Sequence, residues 1–267
     1  MFAITLLSVK RMKEPAFFIF LSIALVISYF MADLDPLTQQ VSGDSIFAQV
    51  LDAGRSSQPL LAASFVMFIV CAVLGGFLGA SEIPRDISSD LILIILSKPI
   101  RKISYMLGKY FGMLIICSCL FIVSEAMIYV THYINTRELF SCMLMLKQLY
   151  LLLAFIPFCA MIIMISCFTG ELAAMIVSFF YLVFSLSFSF IPIAMAMLPK
   201  GIAGAAGGVV FILYYFFPNF IFYFQDFKMF GLVFLMLLIY SFSLAAIFLA
   251  VAVGRLETRD FSKSSDL

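Results

Sequence analysis

Long apolar blocks alternate with short polar connections along this chain, and the blocks have the length of membrane-crossing helices. A helix needs ~20 predominantly apolar residues to cross the hydrocarbon core. Blocks of that kind occupy residues 16–32, 60–80, 110–130, 149–168, 172–198 and 229–254. The pattern predicts an all-α polytopic membrane protein with six transmembrane helices. The first block lies between Lys13-Glu14-Pro15 and Asp33. It is longer than the apolar region of a cleaved signal peptide, and no small-x-small site follows it, so it reads as a span.

Residues 201–224 are uncharged but irregular. Gly201, Gly204, Gly207 and Gly208 crowd the start, and Pro218-Asn219 interrupts the end. This stretch either spans or enters and returns, and a returning backbone must be buried in protein rather than face lipid. Charge distinguishes the two. With six spans and the N-terminus inside, the cytoplasmic segments hold Lys10, Arg11, Lys13, Arg85, Lys98, Arg101, Lys102, Lys109, Arg255, Arg259 and Lys263. Outside lie only Arg55, Arg137, Lys147, Lys200 and Lys228. That positive-inside bias would weaken if a seventh span moved the tail across. The expected organisation is a single transmembrane domain, 1–267, with both termini cytoplasmic. Within it, residues 1–15 form an N-terminal interfacial helix (Phe2, Leu6 and Val9 share a face). Residues 81–104 form a cytoplasmic loop, 201–228 a re-entrant or broken outer segment, and 255–267 a cytoplasmic tail.

Composition narrows the chemistry. The chain is 64% hydrophobic and 12% charged, with a mean hydropathy of +1.17, whereas a soluble domain is nearer half apolar and a quarter charged. Sixteen basic residues against fifteen acidic ones leave no bulk field to attract nucleic acid. The six cysteines (Cys71, Cys117, Cys119, Cys142, Cys159, Cys167) lie mostly in apolar runs and read as packing residues. Cys117 and Cys119, two apart, point in nearly opposite directions on a helix. Sixteen scattered methionines read as gap fillers rather than a metal-conducting ladder. His132 is the only histidine and reads, with Tyr129 and Tyr133, as an interfacial anchor. No metal site is expected.

The most informative segment is Ser81 to Gly112, SEIPRDISSDLILIILSKPIRKISYMLGKYFG. The run 91–96 is too short to span. Pro84 suits a helix start, Glu82 and Asp86 complement the positive end of the helix dipole, and Lys98-Pro99 is a stop. The reading is a short amphipathic helix on the cytoplasmic face, with Ile87, Leu91 and Ile94 or Ile95 on its apolar side. Such a helix either rests on lipid or fits a groove on a soluble partner.

This segment resembles the first cytoplasmic loop of the type-2 ABC exporter permeases: an acidic start (Glu82-x-Pro84-Arg85), a Leu/Ile core, Ser97-Lys98-Pro99, a basic pair, and Leu107-Gly108-Lys109 opening the next helix. Three further places are similar in order. They are Thr169-Gly170-Glu171-Leu172-Ala173-Ala174 at the second cytoplasmic turn, Tyr214-Tyr215-Phe216-Phe217-Pro218-Asn219 before the final span, and Arg259-Asp260-Phe261 in the tail. The resemblance follows the family's order across nearly the whole chain, although each motif is short.

The resemblance implies a permease subunit in a plasma (bacterial inner) membrane. It would pair with a second permease subunit, as a homo- or heterodimer, and be coupled to a separate nucleotide-binding ATPase. The coupling residues would be Glu82, Pro84, Arg85, Asp86, Leu91, Ile94, Ile95, Ser97, Lys98 and Pro99, with Gly170 and Glu171. ATP and Mg would be held by the partner, with no cofactor on this chain and no catalytic residue. In agreement, the glycine pairs Gly75-Gly76 and Gly207-Gly208 lack the Lys-Ser/Thr of a phosphate-binding loop, so ATP hydrolysis is expected from another polypeptide. The implied cargo is amphipathic, lipid-like or a glycan.

Within the spans, Glu125 stands out. An intramembrane carboxylate costs up to ~3 kcal/mol on insertion scales and should face protein or water. It serves either as part of a substrate path or as a helix-to-helix hydrogen bond. The pairs Gly75/Gly79 and Gly108/Gly112 let helices approach closely, within a subunit or at a dimer seam, and Gly204/Gly208 repeats the spacing. Phe179, Phe180, Phe184, Phe188 and Phe190 read as lipid contacts. Two other classes compete. An ion-driven secondary transporter would need more intramembrane carboxylates or a symmetric pair of broken helices; Pro192 and Pro218 do not supply one. A non-transporting membrane scaffold would need no coupling helix. An intramembrane enzyme lacks a paired acid and base.

Overall fold

In the computed structural model, the described residues are Thr5, 15–33, 58–88, 101–137, 142–187, 220–223 and 230–258. Their regular structure is entirely helical. The helices are α1 Pro15–Asp33, α2 Gln58–Ala80, α3 Glu82–Ser88, α4 Lys102–Thr136, α5 Cys142–Phe168, α6 Glu171–Ser187 and α7 Phe230–Thr258, with a 3-10 turn at Phe220–Tyr223. Four of them, α2 continued by α3, α4, α5 and α7, are long and apolar enough to cross a membrane. The protein is therefore of the multi-pass membrane type. The proposed interfacial helix, apart from Thr5 and Pro15, lies outside the described residues. So do the second half of the fifth block, most of 201–228 and the tail beyond Thr258.

Helices begin and end where backbone chemistry dictates rather than where polarity changes. The third apolar block was expected at 110–130, but α4 runs for 35 residues, about 52 Å, against a hydrocarbon core of ~30 Å. It ends on Arg137, whose φ of 60° places it in the left-handed cap conformation and lets its N–H bond the Tyr133 carbonyl at 2.9 Å.

Contacts at one end of the bundle set the helix directions. Lys102 Nζ, at the start of α4, donates to the Leu256 carbonyl near the end of α7 at 3.3 Å. Arg255 lies 5.4 Å over the ring of Phe168, the last residue of α5. Arg85 of α3 bonds Glu171, the first residue of α6. Hence α2, α5 and α7 end where α4 and α6 begin. The two-residue connection between α5 and α6 makes that pair antiparallel.

At the centre is α5. It touches α2, α3, α4, α6, α7 and the 3-10 turn, and from Leu151 to Cys167 nearly every side chain is buried, as expected for a helix apolar on all faces. Pro157 stands inside it and cannot donate to the preceding turn. The neighbouring Ile156 carbonyl accepts from the Tyr110 hydroxyl at 3.2 Å. The outward faces of α6 and α7 are the reverse: Phe179, Phe180 (65% exposed), Phe184, Leu235, Met236 and Ile239 point away from the protein, as lipid-facing side chains do.

The glycine pair of α2 packs inside the chain, against α4. A Cβ at Gly75 would fall on Cys117 Sγ, and one at Gly79 on the end of Met113. Gly76 differs, since its Cβ would sit in ordinary contact, 3.6 Å from Ile162 and 3.8 Å from Phe158. Gly76→Ala is expected to leave the thermal midpoint unchanged or raise it, by up to ~1 kcal/mol of helix propensity. A lowered midpoint in detergent-based melting would contradict this packing. Gly108 and Gly112 are buried on α4.

The 3-10 turn sits deep in the bundle. The ring of Phe220 packs 5.5 Å from Phe68 and 5.8 Å from Phe158, both mid-helix residues. The Tyr223 hydroxyl lies 2.7 Å from Ser241 Oγ of α7, which also donates to the Leu237 carbonyl.

Candidate functional site

At the end of the bundle where α2 passes into α3, charged side chains are drawn inward. Two acids four residues apart on α3, Glu82 and Asp86, face a tyrosine and a lysine four residues apart on α4, Tyr105 and Lys109. Lys109 Nζ lies 2.6 Å from Glu82 Oε2 and 2.8 Å from Asp86 Oδ2. The Tyr105 hydroxyl donates to Asp86 Oδ2 at 2.8 Å, and Lys109 lies 6.0 Å from the centre of the same ring. Lys109 is 1% exposed, and Glu82, Asp86 and Tyr105 are buried with it. Removing two carboxylates and an ammonium from water is tolerable only with short, mutually satisfied contacts of this kind.

The buried face of α3 consists of Glu82, Ile83 and Asp86, with Pro84 half-buried and Arg85 and Ser88 exposed. Ile87, expected on an apolar side, is partly buried against the core. The helix docks on α2, α5 and α4. Pro84 sits at its third position, where a missing N–H costs little.

From the exposed side, Arg85 Nη2 and Nε reach Glu171 Oε1 at 3.1 and 3.2 Å. The two polar connections that the sequence singled out are thereby joined, and Gly170 between α5 and α6 has nothing near its Cβ position. Leu91, Ile94, Ile95, Ser97, Lys98 and Pro99 lie outside the described residues. Lys109 and Tyr105 had not been assigned to this cluster. The signal available was their spacing of four, matching that of Glu82 and Asp86.

A second polar cluster lies further along the helices. Glu125 Oε2 accepts from Ser64 Oγ of α2 at 2.9 Å and from Gln148 Nε2 of α5 at 2.5 Å. Gln148 also reaches Ser64 Oγ at 3.2 Å. All three are buried, and Glu125 Oε1 has no hydrogen-bond partner among the described residues. The carboxyl thus links three helices by hydrogen bonds. Glu125→Gln keeps an acceptor for both donors and is expected to hold the thermal midpoint. Glu125→Ala leaves Ser64 and Gln148 unsatisfied and should cost about 1–3 kcal/mol. Equal midpoints for the two variants would remove the pinning role.

Among the described residues no group of three His, Cys, Asp or Glu side chains is placed to hold a metal. The cysteines described are free, with Cys71, Cys117, Cys159 and Cys167 buried. No protein-family model matches the chain, and no curated protein matches it significantly.

Proposed function

We propose that this chain is the membrane permease subunit of an ATP-driven exporter, coupled through α3 and the α5–α6 turn to a separate ATPase. The observation that carries the reading is the buried Glu82–Asp86–Lys109 cluster. A short helix that merely rested on lipid would not need two carboxylates locked onto a spanning helix. Here α3 is fastened to α4 by buried ion pairs and to the start of α6 by Arg85–Glu171. A push on α3 from a soluble partner would therefore reach α4 and α6 directly. Such a push can act by shifting the populations of two helix arrangements.

In this reading the α3 end faces the cytoplasm, in keeping with the positive-inside distribution of Lys and Arg. The chain has six spans in a bacterial inner membrane and both termini inside. The segment 201–228 is re-entrant, and the depth of Phe220 and Tyr223 supports that, because irregular backbone at such depth belongs inside protein. A second permease subunit completes the path, ATP and Mg are held by the partner, and the cargo is amphipathic, lipid-like or a glycan. The chain itself has no catalytic role.

The test is affinity purification in gentle detergent from the native host, followed by mass spectrometry and an ATPase assay. A nucleotide-binding subunit should co-purify, and should be lost when Ile94 and Ile95 become Asp. The exposed pair gives a finer check. Arg85→Glu should lower substrate-stimulated ATPase activity, and adding Glu171→Arg should restore part of it, with little change in stability because an exposed ion pair contributes about 0–1 kcal/mol. Recovery of the chain without any ATPase would overturn the reading in favour of a secondary transporter or a scaffold.

A further inference from the structure

Between α4 and α7 the bundle leaves a groove of about 560 Å³, within the range of small-molecule sites. It exists because α7 packs chiefly on α5 and only lightly on α4. Its floor is Met106, Tyr110 and Ala245, all buried, and its lips are Ile103 and Phe242, each about half exposed. Every lining side chain is apolar or a tyrosine except Glu257.

The size and ends of the groove narrow the occupant. On α4 it extends from Ile103 to Phe111 and on α7 from Phe242 to Glu257, rises of about 12 and 22 Å. These lie either side of half of a ~30 Å hydrocarbon core, one leaflet deep. The groove starts at the charged end of the bundle, where Lys102 is tied to the Leu256 carbonyl, Arg101 is exposed, and the Glu257 carboxylate forms part of the lining. Glu257, next in sequence to the Leu256 carbonyl that holds the Lys102 ammonium, complements a headgroup that carries both an ammonium and a phosphate, whereas a glycerol headgroup offers the carboxylate no cation.

We infer that the α4–α7 groove binds one phospholipid of the adjacent leaflet, an acyl chain along Met106, Tyr110 and Leu249 and an ethanolamine headgroup between Glu257 and Lys102. The inference rests on α4 and α7 spanning a bilayer and not on ATPase coupling, so the chain without its partner gives the same readout.

The experiment places the full chain in nanodiscs of phosphatidylethanolamine and phosphatidylglycerol. A trace of one or the other lipid carries a diazirine on its acyl chain, and the labelled peptides are read by mass spectrometry after illumination. The ethanolamine probe should label the groove about fivefold more than the outward α6 face around Phe180, and about fivefold more than the glycerol probe labels it. Ala250→Trp, which fills the groove, should remove that excess while labelling around Phe180 persists, showing the chain still folded in the bilayer. Glu257→Gln should abolish the difference between the probes. Equal labelling of groove and α6 would reduce the groove to bulk lipid contact and overturn the site. Equal labelling by both probes would overturn the headgroup assignment. An unlabelled groove, with Ala250→Cys chains cross-linking in pairs, would assign it to a second copy instead.

Discussion

Replacing Lys109 with methionine is expected to abolish the folded protein. The substitution leaves Glu82 and Asp86 buried without the ammonium that lies 2.6 and 2.8 Å from them. Breaking a buried ion pair from one side costs about 3–5 kcal/mol, a large part of typical total stability. Fluorescence-detected size-exclusion chromatography after heating should show no stable monodisperse peak. Neutralising the acids as well, with Glu82→Gln and Asp86→Asn, removes the uncompensated charge and should return much of the lost stability. The triple variant then separates two roles. If the cluster transmits force from α3 to α4, the refolded triple variant should bind its ATPase yet stay uncoupled, hydrolysing ATP without transport. A Lys109→Met variant as stable as the parent would show that the pair is not buried as described.

Gly75→Leu is the second large effect. A Cβ there falls on Cys117 Sγ, and the four carbons of a leucine side chain would force α2 away from α4, so loss of the assembled protein is expected. The milder Gly75→Ala should cost about 1–3 kcal/mol, the usual penalty of overpacking. Adding Cys117→Ala should recover most of it, a coupling that a double-mutant cycle reads directly. Gly79→Ala should cost less. The atoms it meets are chiefly the far end of Met113, which can turn aside, whereas a cysteine sulfur has one rotatable bond. A Gly75→Leu variant that purifies and melts like the parent would show that the helices do not approach there.

The membrane-crossing helices were legible because each is an apolar block of bilayer length. The observed helices α2, α5 and α7 begin or end within a few residues of the blocks except at the start of α5. Hydropathy marked only the middle of α4 because it reports where apolar residues lie, whereas the helix continues past its apolar stretch at both ends. The small-residue pair on α2 indicated a close approach without indicating α4 as the neighbour. Glu125 was expected to face protein or water, but serines are too common for Ser64 to be picked out as its partner. Lys109 shows the limit most clearly. In one dimension it is a charge that sets orientation, and only the crossing of α3 over α4 makes it the centre of a buried cluster. Glu82 and Asp86 at a spacing of four suit either a helix start or a shared cation, and the sequence contains no term for the distance between helices.

The 3-10 turn has a consequence for the order in which the chain is assembled. Four residues in that conformation satisfy few of their own N–H and C=O groups, and each unsatisfied one would cost several kcal/mol in lipid. Residues 220–223 therefore cannot enter the bilayer as an independent unit. The rings that receive Phe220 belong to α2 and α5, synthesised earlier, while the hydroxyl that meets Tyr223 belongs to α7, synthesised later. The turn has a place to settle only after α2 and α5 have associated, and it is secured only when α7 closes over it. A chain halted before Ser241 would be an assembly intermediate with its aromatic wedge seated but unlatched.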